Sequence, residues 1–125
     1  MSLLQIALGG ALGAVLRHLT VMGARAVWGV GFPWGTLIVN VLGSFLMGIL
    51  AVVLIERGLL RDGAPFLMVG VLGAYTTFSA FSLDVLLLWE RGLAVRAVGY
   101  AAVSVLLSVA ALILGLVLAR QVTGP

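Results

Sequence analysis

Charged residues divide this chain into four long apolar segments, and that spacing restricts it more than any other feature. The first segment, residues 3–28, is interrupted only by Arg17, His18 and Arg25. The second, residues 33–55, carries no charge. The third, residues 65–89, is uncharged until Asp84, and the fourth, residues 95–119, has only Arg96 at its start. At a helical rise of about 1.5 Å per residue, each is long enough to cross the roughly 30 Å hydrocarbon core of a bilayer. Trp28, Trp34 and Trp89 fall near segment ends, where indole rings favour the headgroup zone. Only 9% of the residues are charged, against roughly 25% in soluble domains. The expectation is an all-α integral membrane protein, a single domain over residues 1–125 with four transmembrane helices.

The N-terminus has no positive stretch ahead of its apolar run and no A-x-A-like site after it, so the first segment reads as retained rather than cleaved. Absence of cysteine excludes disulfides and thiolate metal sites. The net charge of +3 comes from seven arginines scattered singly, with no lysine, which leaves no basic patch for nucleic acid. Arginine-only, Ala/Val/Gly/Leu-rich usage fits a GC-rich prokaryote and hence an inner-membrane location.

Arginines in the loops should set orientation. One side carries Arg57, Arg61 and Arg120, and the other Arg25, Arg91 and Arg96. This tie has two readings: other factors impose one topology, or the chain inserts both ways and pairs with itself antiparallel. The halves show no internal repeat, so two inverted copies would have to supply the symmetry that larger transporters obtain from repeats. Four helices also enclose little space, which favours an oligomer.

Small residues mark where helices approach closely: Gly9, Gly13 and Ala14 in the first segment, Gly43, Gly48 and Ala51 in the second. Polar residues are more informative. Thr36, Asn40 and Ser44 recur every four residues in the second segment, and Tyr100, Ser104 and Ser108 do so in the fourth. A lone Ser or Thr usually bonds its own helix, but two matched stripes are harder to dismiss. The Asn40 amide has more donors and acceptors than its own helix satisfies. It is either an interhelical clamp or part of a polar pathway, and composition leaves both open. Arg17 lies deep in a segment that has no acid to neutralise it, so it either snorkels to an interface or faces a water-filled vestibule. All four acids, Glu56, Asp62, Asp84 and Glu90, lie at or near segment ends.

The stretch GAYTTFSAF, residues 73–81, puts a Gly, two Thr and a Ser into an uncharged run of membrane-crossing length. Such residues can interrupt a helix, and unwound backbone at depth must be buried in protein or face a cavity. Carbonyls freed there are ligands for a small hard cation. Phe78 and Phe81 share a face beyond the interruption, and the electropositive edges of their rings could meet an anion.

At these residues the sequence resembles the CrcB/Fluc family of fluoride channels. The family pattern G-G-x-x-G-A-x-x-R is met by Gly9-Gly10 through Arg17, and G-T-x-x-V-N-x-x-G-x-F-x-x-G by Gly35-Thr36 through Gly48. GVLGAYTTFSAF, from Gly70 to Phe81, follows the third, G-x-x-G-G-x-T-T-F-S-T-F, at all but two of its specified positions. The resemblance implies a channel and not an enzyme: a dual-topology antiparallel homodimer with each third helix broken mid-membrane. Two pores along the dimer interface would export fluoride passively. Carried over by position, Asn40, Phe78, Phe81, Tyr100, Ser104 and Ser108 would line them, with Thr36 on the same stripe and Arg17 near a vestibule. Backbone carbonyls of Gly73 and Thr76 from both subunits would hold one central structural Na⁺.

Three positions depart from the family pattern. Ala74 replaces a second Gly, which would be strained if φ had to be positive there. Ala80 replaces the usual Thr, and His18 stands where an aromatic is common. Two other classes fit the sequence less well. A proton-coupled small multidrug antiporter needs a carboxylate in its first helix, and this segment has none. A small accessory subunit of a membrane complex would explain the glycines but not the polar stripes, Asn40 or Arg17.

Overall fold

The computed structural model describes residues 2–124, and its elements are all helical. Helix α1 runs Ser2–Trp28. It stops where Gly29 takes φ +76° and returns its N–H to the Arg25 carbonyl at 2.8 Å, the left-handed glycine cap that ends many helices. Pro33 then precedes α2, Trp34–Glu56, whose last turns from Ala51 are π-wound. Helix α3, residues 65–75, is π-wound over Pro65–Leu72 and closes with one α turn, Gly73–Tyr75. Helix α4, Ser79–Glu90, continues the same span after a three-residue gap. A tight turn at Gly92, φ +80°, leads into α5, Ala94–Thr123. Four helical stretches are thus long and apolar enough to cross a membrane, α3 and α4 together forming the third. Large apolar side chains cover most of the outside, and buried ones are few. A protein whose solvent is lipid has that distribution.

Helices α1 and α3 pack together, as do α4 and α5, while α2 lies most extensively on α5. Glycines seat these contacts backbone to backbone. A Cβ on Gly48 would collide with the Leu112 carbonyl of α5, and one on Gly115 with the Phe45 carbonyl of α2. We expect Gly48→Ala to destabilise the protein by about 2–3 kcal/mol, because a methyl there forces α2 and α5 apart. Gly23→Ala is the control: a Cβ there meets nothing within 4 Å, so the better helix former should be neutral or stabilising. Thermal unfolding in detergent compares the two.

The bundle has two distinct ends. At one, Arg120 forks onto both carboxylate oxygens of Glu56, and Arg57 donates to Thr123 Oγ1 at 3.1 Å and to the Gly124 carbonyl. Gln5 joins them by donating to the Asp62 carbonyl at 3.2 Å. At the other, Trp34 packs at a tilt against both Trp28 and Phe32, with centroids 5.9 and 4.7 Å away, beside Arg25 and Arg91.

Candidate functional site

The third span breaks after Tyr75. Thr76 adopts φ −82°, ψ 158°, an extended conformation that stops the helical ladder. Its N–H and Oγ1 both still donate to the Leu72 carbonyl, at 3.1 and 3.0 Å. Beyond that point the ladder is not resumed until Ser82, whose N–H reaches the Phe78 carbonyl at 2.9 Å. No N–H among the described residues bonds the carbonyls of Gly73, Ala74 or Thr76. Ala74 needs no left-handed conformation, since Leu60 is the one non-glycine of positive φ among the described residues. The anticipated strain from replacing that glycine therefore does not arise.

Asn40 repairs the break. Its Nδ2 donates to the Thr77 carbonyl at 3.0 Å while its Oδ1 accepts the Thr77 N–H at 2.8 Å, a two-point clamp between α2 and the gap. Thr77 in turn takes the Ala80 N–H on its Oγ1 at 3.1 Å, satisfying one of the open donors at the start of α4. Here Ala80 contributes through its amide. Gly43, one turn along α2 from Asn40, makes room for the gap: a Cβ there would strike Thr76 Cγ2.

A groove of about 320 Å³ opens beside the break. It gathers Asn40, Phe78, Phe81, Ser104 and Ser108 among the residues expected from sequence, and adds Ser44, Thr76 and Thr77. Phe78 and Phe81 lie with centroids 5.6 Å apart, and Phe78 is 78% exposed. Ser104 Oγ is buried, its residue only 5% exposed, with no hydrogen-bond partner among the described residues. Buried hydroxyls are nearly always paired, so this one is conspicuous. Asn40 has a second N–H beyond the one spent on Thr77, and no acceptor among the described residues takes it.

Three expected residues lie elsewhere. Thr36 is buried and lines a second cavity of about 150 Å³ at the tryptophan end, together with Arg25, Asp84 and Arg91. Tyr100, 1% exposed, lines neither space, but its ring packs against Phe32 of the second cavity and Phe81 of the groove. Its ring lies 5.3 Å from that of Phe81, and its hydroxyl donates to Asp84 Oδ2 at 3.1 Å. Arg17 is half-buried on α1, borders neither cavity and makes no hydrogen bond or ion pair among the described residues. His18 beside it is exposed.

Sequence reasoning missed two participants. The sequence marks Thr77 as part of the interruption but not as the residue whose backbone Asn40 grips. Asp84 counts by sequence among the acids at or near segment ends, yet it sits about a turn and a half inside α4 and accepts from Tyr100. A signal for the second exists: in an antiparallel hairpin folded at Gly92, residues equally far from the turn come level, and Asp84 and Tyr100 are each eight away.

Four apolar spans around a donor-rich groove, opened by a broken helix, define a small multi-pass membrane protein with a polar site at membrane depth. The chain belongs to the CrcB family: the family model described as CrcB-like protein, Camphor Resistance (CrcB), matches residues 4–116. It is 57% identical over 119 residues to a protein of Cereibacter sphaeroides named fluoride-specific ion channel FluC, covering 95% of this chain and 94% of that one. Relatives of the same name in Paracoccus denitrificans and Mesorhizobium japonicum are 51% and 48% identical. The matches cover 94% of this chain and 93% of the first relative, and 96% and 97% for the second.

Proposed function

We propose that this protein is a fluoride channel that lets the ion leave the cell passively, and that it works as an antiparallel, dual-topology homodimer with two pores. The observation that carries this reading is the donor chemistry of the groove. Ser104 Oγ has a hydroxyl with no partner, Asn40 has an uncommitted N–H, and two phenyl rings line the same space. Each of these suits a small anion, and no carboxylate lines that groove. Fluoride, the smallest halide and the strongest hydrogen-bond acceptor among them, gains most from closely spaced donors.

The groove lies on the flank of a single chain, with Phe78 facing outward. Polar groups facing lipid are costly, and a second copy laid against this flank would cover them. The equal arginine count at the two bundle ends supports insertion in both orientations. Arg17, half-buried and without a partner, would then stand at a vestibule and draw anions in.

The same dimer would hold a structural Na⁺ on the Gly73 and Thr76 carbonyls of both subunits. The residues fit such an ion: these carbonyl oxygens are hard ligands left without N–H partners by the break. When bound, the ion supplies fixed positive charge at the break. The clamp from Asn40 and the cap from Thr77 are this chain's own means of keeping the gap open in one shape.

Efflux from liposomes holding the purified protein, read with fluoride and chloride electrodes in parallel, tests the channel. Fluoride release without chloride release supports it; no release from an inserted dimer overturns it. Ser104→Ala should slow fluoride severalfold while stabilising the fold by about 1 kcal/mol, because an orphaned buried hydroxyl is removed. A purely structural serine would give the stability gain with unchanged flux.

A further inference from the structure

We propose that Tyr75 and Thr20 form a positioning link, which holds the cation-ligating turn of α3 against α1 as Asn40 holds the following residue against α2. The inference rests on the Na⁺ reading above. The last turn of α3 is short of backbone bonds, since the carbonyls of Gly73, Ala74 and Thr76 receive no N–H. Both bonds made by Thr76 go back to Leu72, along the helix, and do nothing to fix the turn sideways. Tyr75, between the two ligand-bearing residues, is 7% exposed and its hydroxyl lies 3.0 Å from Thr20 Oγ1.

The direction of that bond follows from counting hydrogens. A threonine hydroxyl carries one, and Thr20 donates it to the Leu16 carbonyl at 2.9 Å. Thr20 Oγ1 is therefore the acceptor and Tyr75 O–H the donor. The phenol satisfies itself on α1, while its ring lies across Gly43 of α2, where a Cβ would come 3.5 Å from Tyr75 Cδ2. The turn is held between two helices by one side chain, and removing its hydroxyl frees the carbonyls on either side to drift. Cation affinity depends steeply on where such ligands stand.

Thermal unfolding of the purified protein in detergent, titrated with NaCl against N-methyl-D-glucamine chloride at constant ionic strength, reads the Na⁺ midpoint directly. For Tyr75→Phe the concentration giving half-maximal stabilisation should rise roughly three- to tenfold. Thr20→Val, which leaves the ring in place, should shift it likewise, and Thr20→Ser should restore it. A merely structural contact would lower the unfolding temperature equally at every Na⁺ concentration and leave the midpoint where it was. An unshifted midpoint in both Tyr75→Phe and Thr20→Val overturns the link while the Na⁺ reading stands. A wild-type protein whose stability ignores Na⁺ overturns the Na⁺ reading, and the link with it.

Discussion

Asn40→Asp is expected to abolish fluoride flux in liposomes while leaving the proposed dimer intact on size exclusion. The change is nearly isosteric, so the Thr77 N–H keeps its acceptor at Oδ1. What alters is the other half of the amide. The Nδ2 that donates to the Thr77 carbonyl becomes a carboxylate oxygen facing a carbonyl oxygen, and the second N–H offered to the groove disappears. A unit negative charge about 4 Å from a passing anion repels it by roughly 4 kcal/mol at an effective dielectric of 20. That is about a thousandfold in occupancy. The Thr77 contact weakens as well, but one lost bond is worth about 1 kcal/mol and leaves the bundle folded. Normal flux in this variant would take Asn40 out of the pathway and leave it only the clamp.

Much of the architecture was legible because it depends on charge spacing and residue type. Four spans follow from where Arg57, Asp62, Glu90 and Arg91 interrupt the apolar runs. The interruption in the third follows from Gly73, Thr76 and Thr77, and Thr76 is where the backbone turns extended. The polar stripes were legible as faces but not as one continuous lining. Four residues advance a helix by 400°, so each repeat drifts about 40° around the axis. Over eight residues Tyr100 and Ser108 lie about 80° apart, as do Thr36 and Ser44. Hence Ser44 and Ser108 enter the groove while Thr36 turns to the second cavity and Tyr100 is buried between them. No local pattern announces that Asn40 grips the backbone 37 positions away. Its pairing was open between clamp and pathway, and one amide has enough hydrogens for both. The π winding of Ala51–Glu56 and Pro65–Leu72 had no signal either. Such winding is chosen by packing, and α3 brings Gly70 so close to α1 that a Cβ on it would lie 2.9 Å from Gly9 Cα.

Phe81→Ile should slow fluoride roughly tenfold without disturbing the break. Phe81 is the residue through which the groove meets Tyr100: its ring is 5.6 Å from Phe78 on one side and 5.3 Å from Tyr100 on the other. Isoleucine keeps an apolar side chain of similar reach, so the packing of α4 on α5 survives. It has no ring edge, and the positive rim that a phenyl offers to an anion is lost. A loss of about 1.4 kcal/mol, within the range of aromatic edge interactions, is tenfold in rate. Phe81→Tyr separates edge from bulk: it keeps the ring and should retain most of the flux. The contrast between the two variants, read by fluoride electrode, is the informative quantity. Equal flux in Phe81→Ile and wild type would return the residue to packing and leave the anion path to the hydroxyl and amide donors alone.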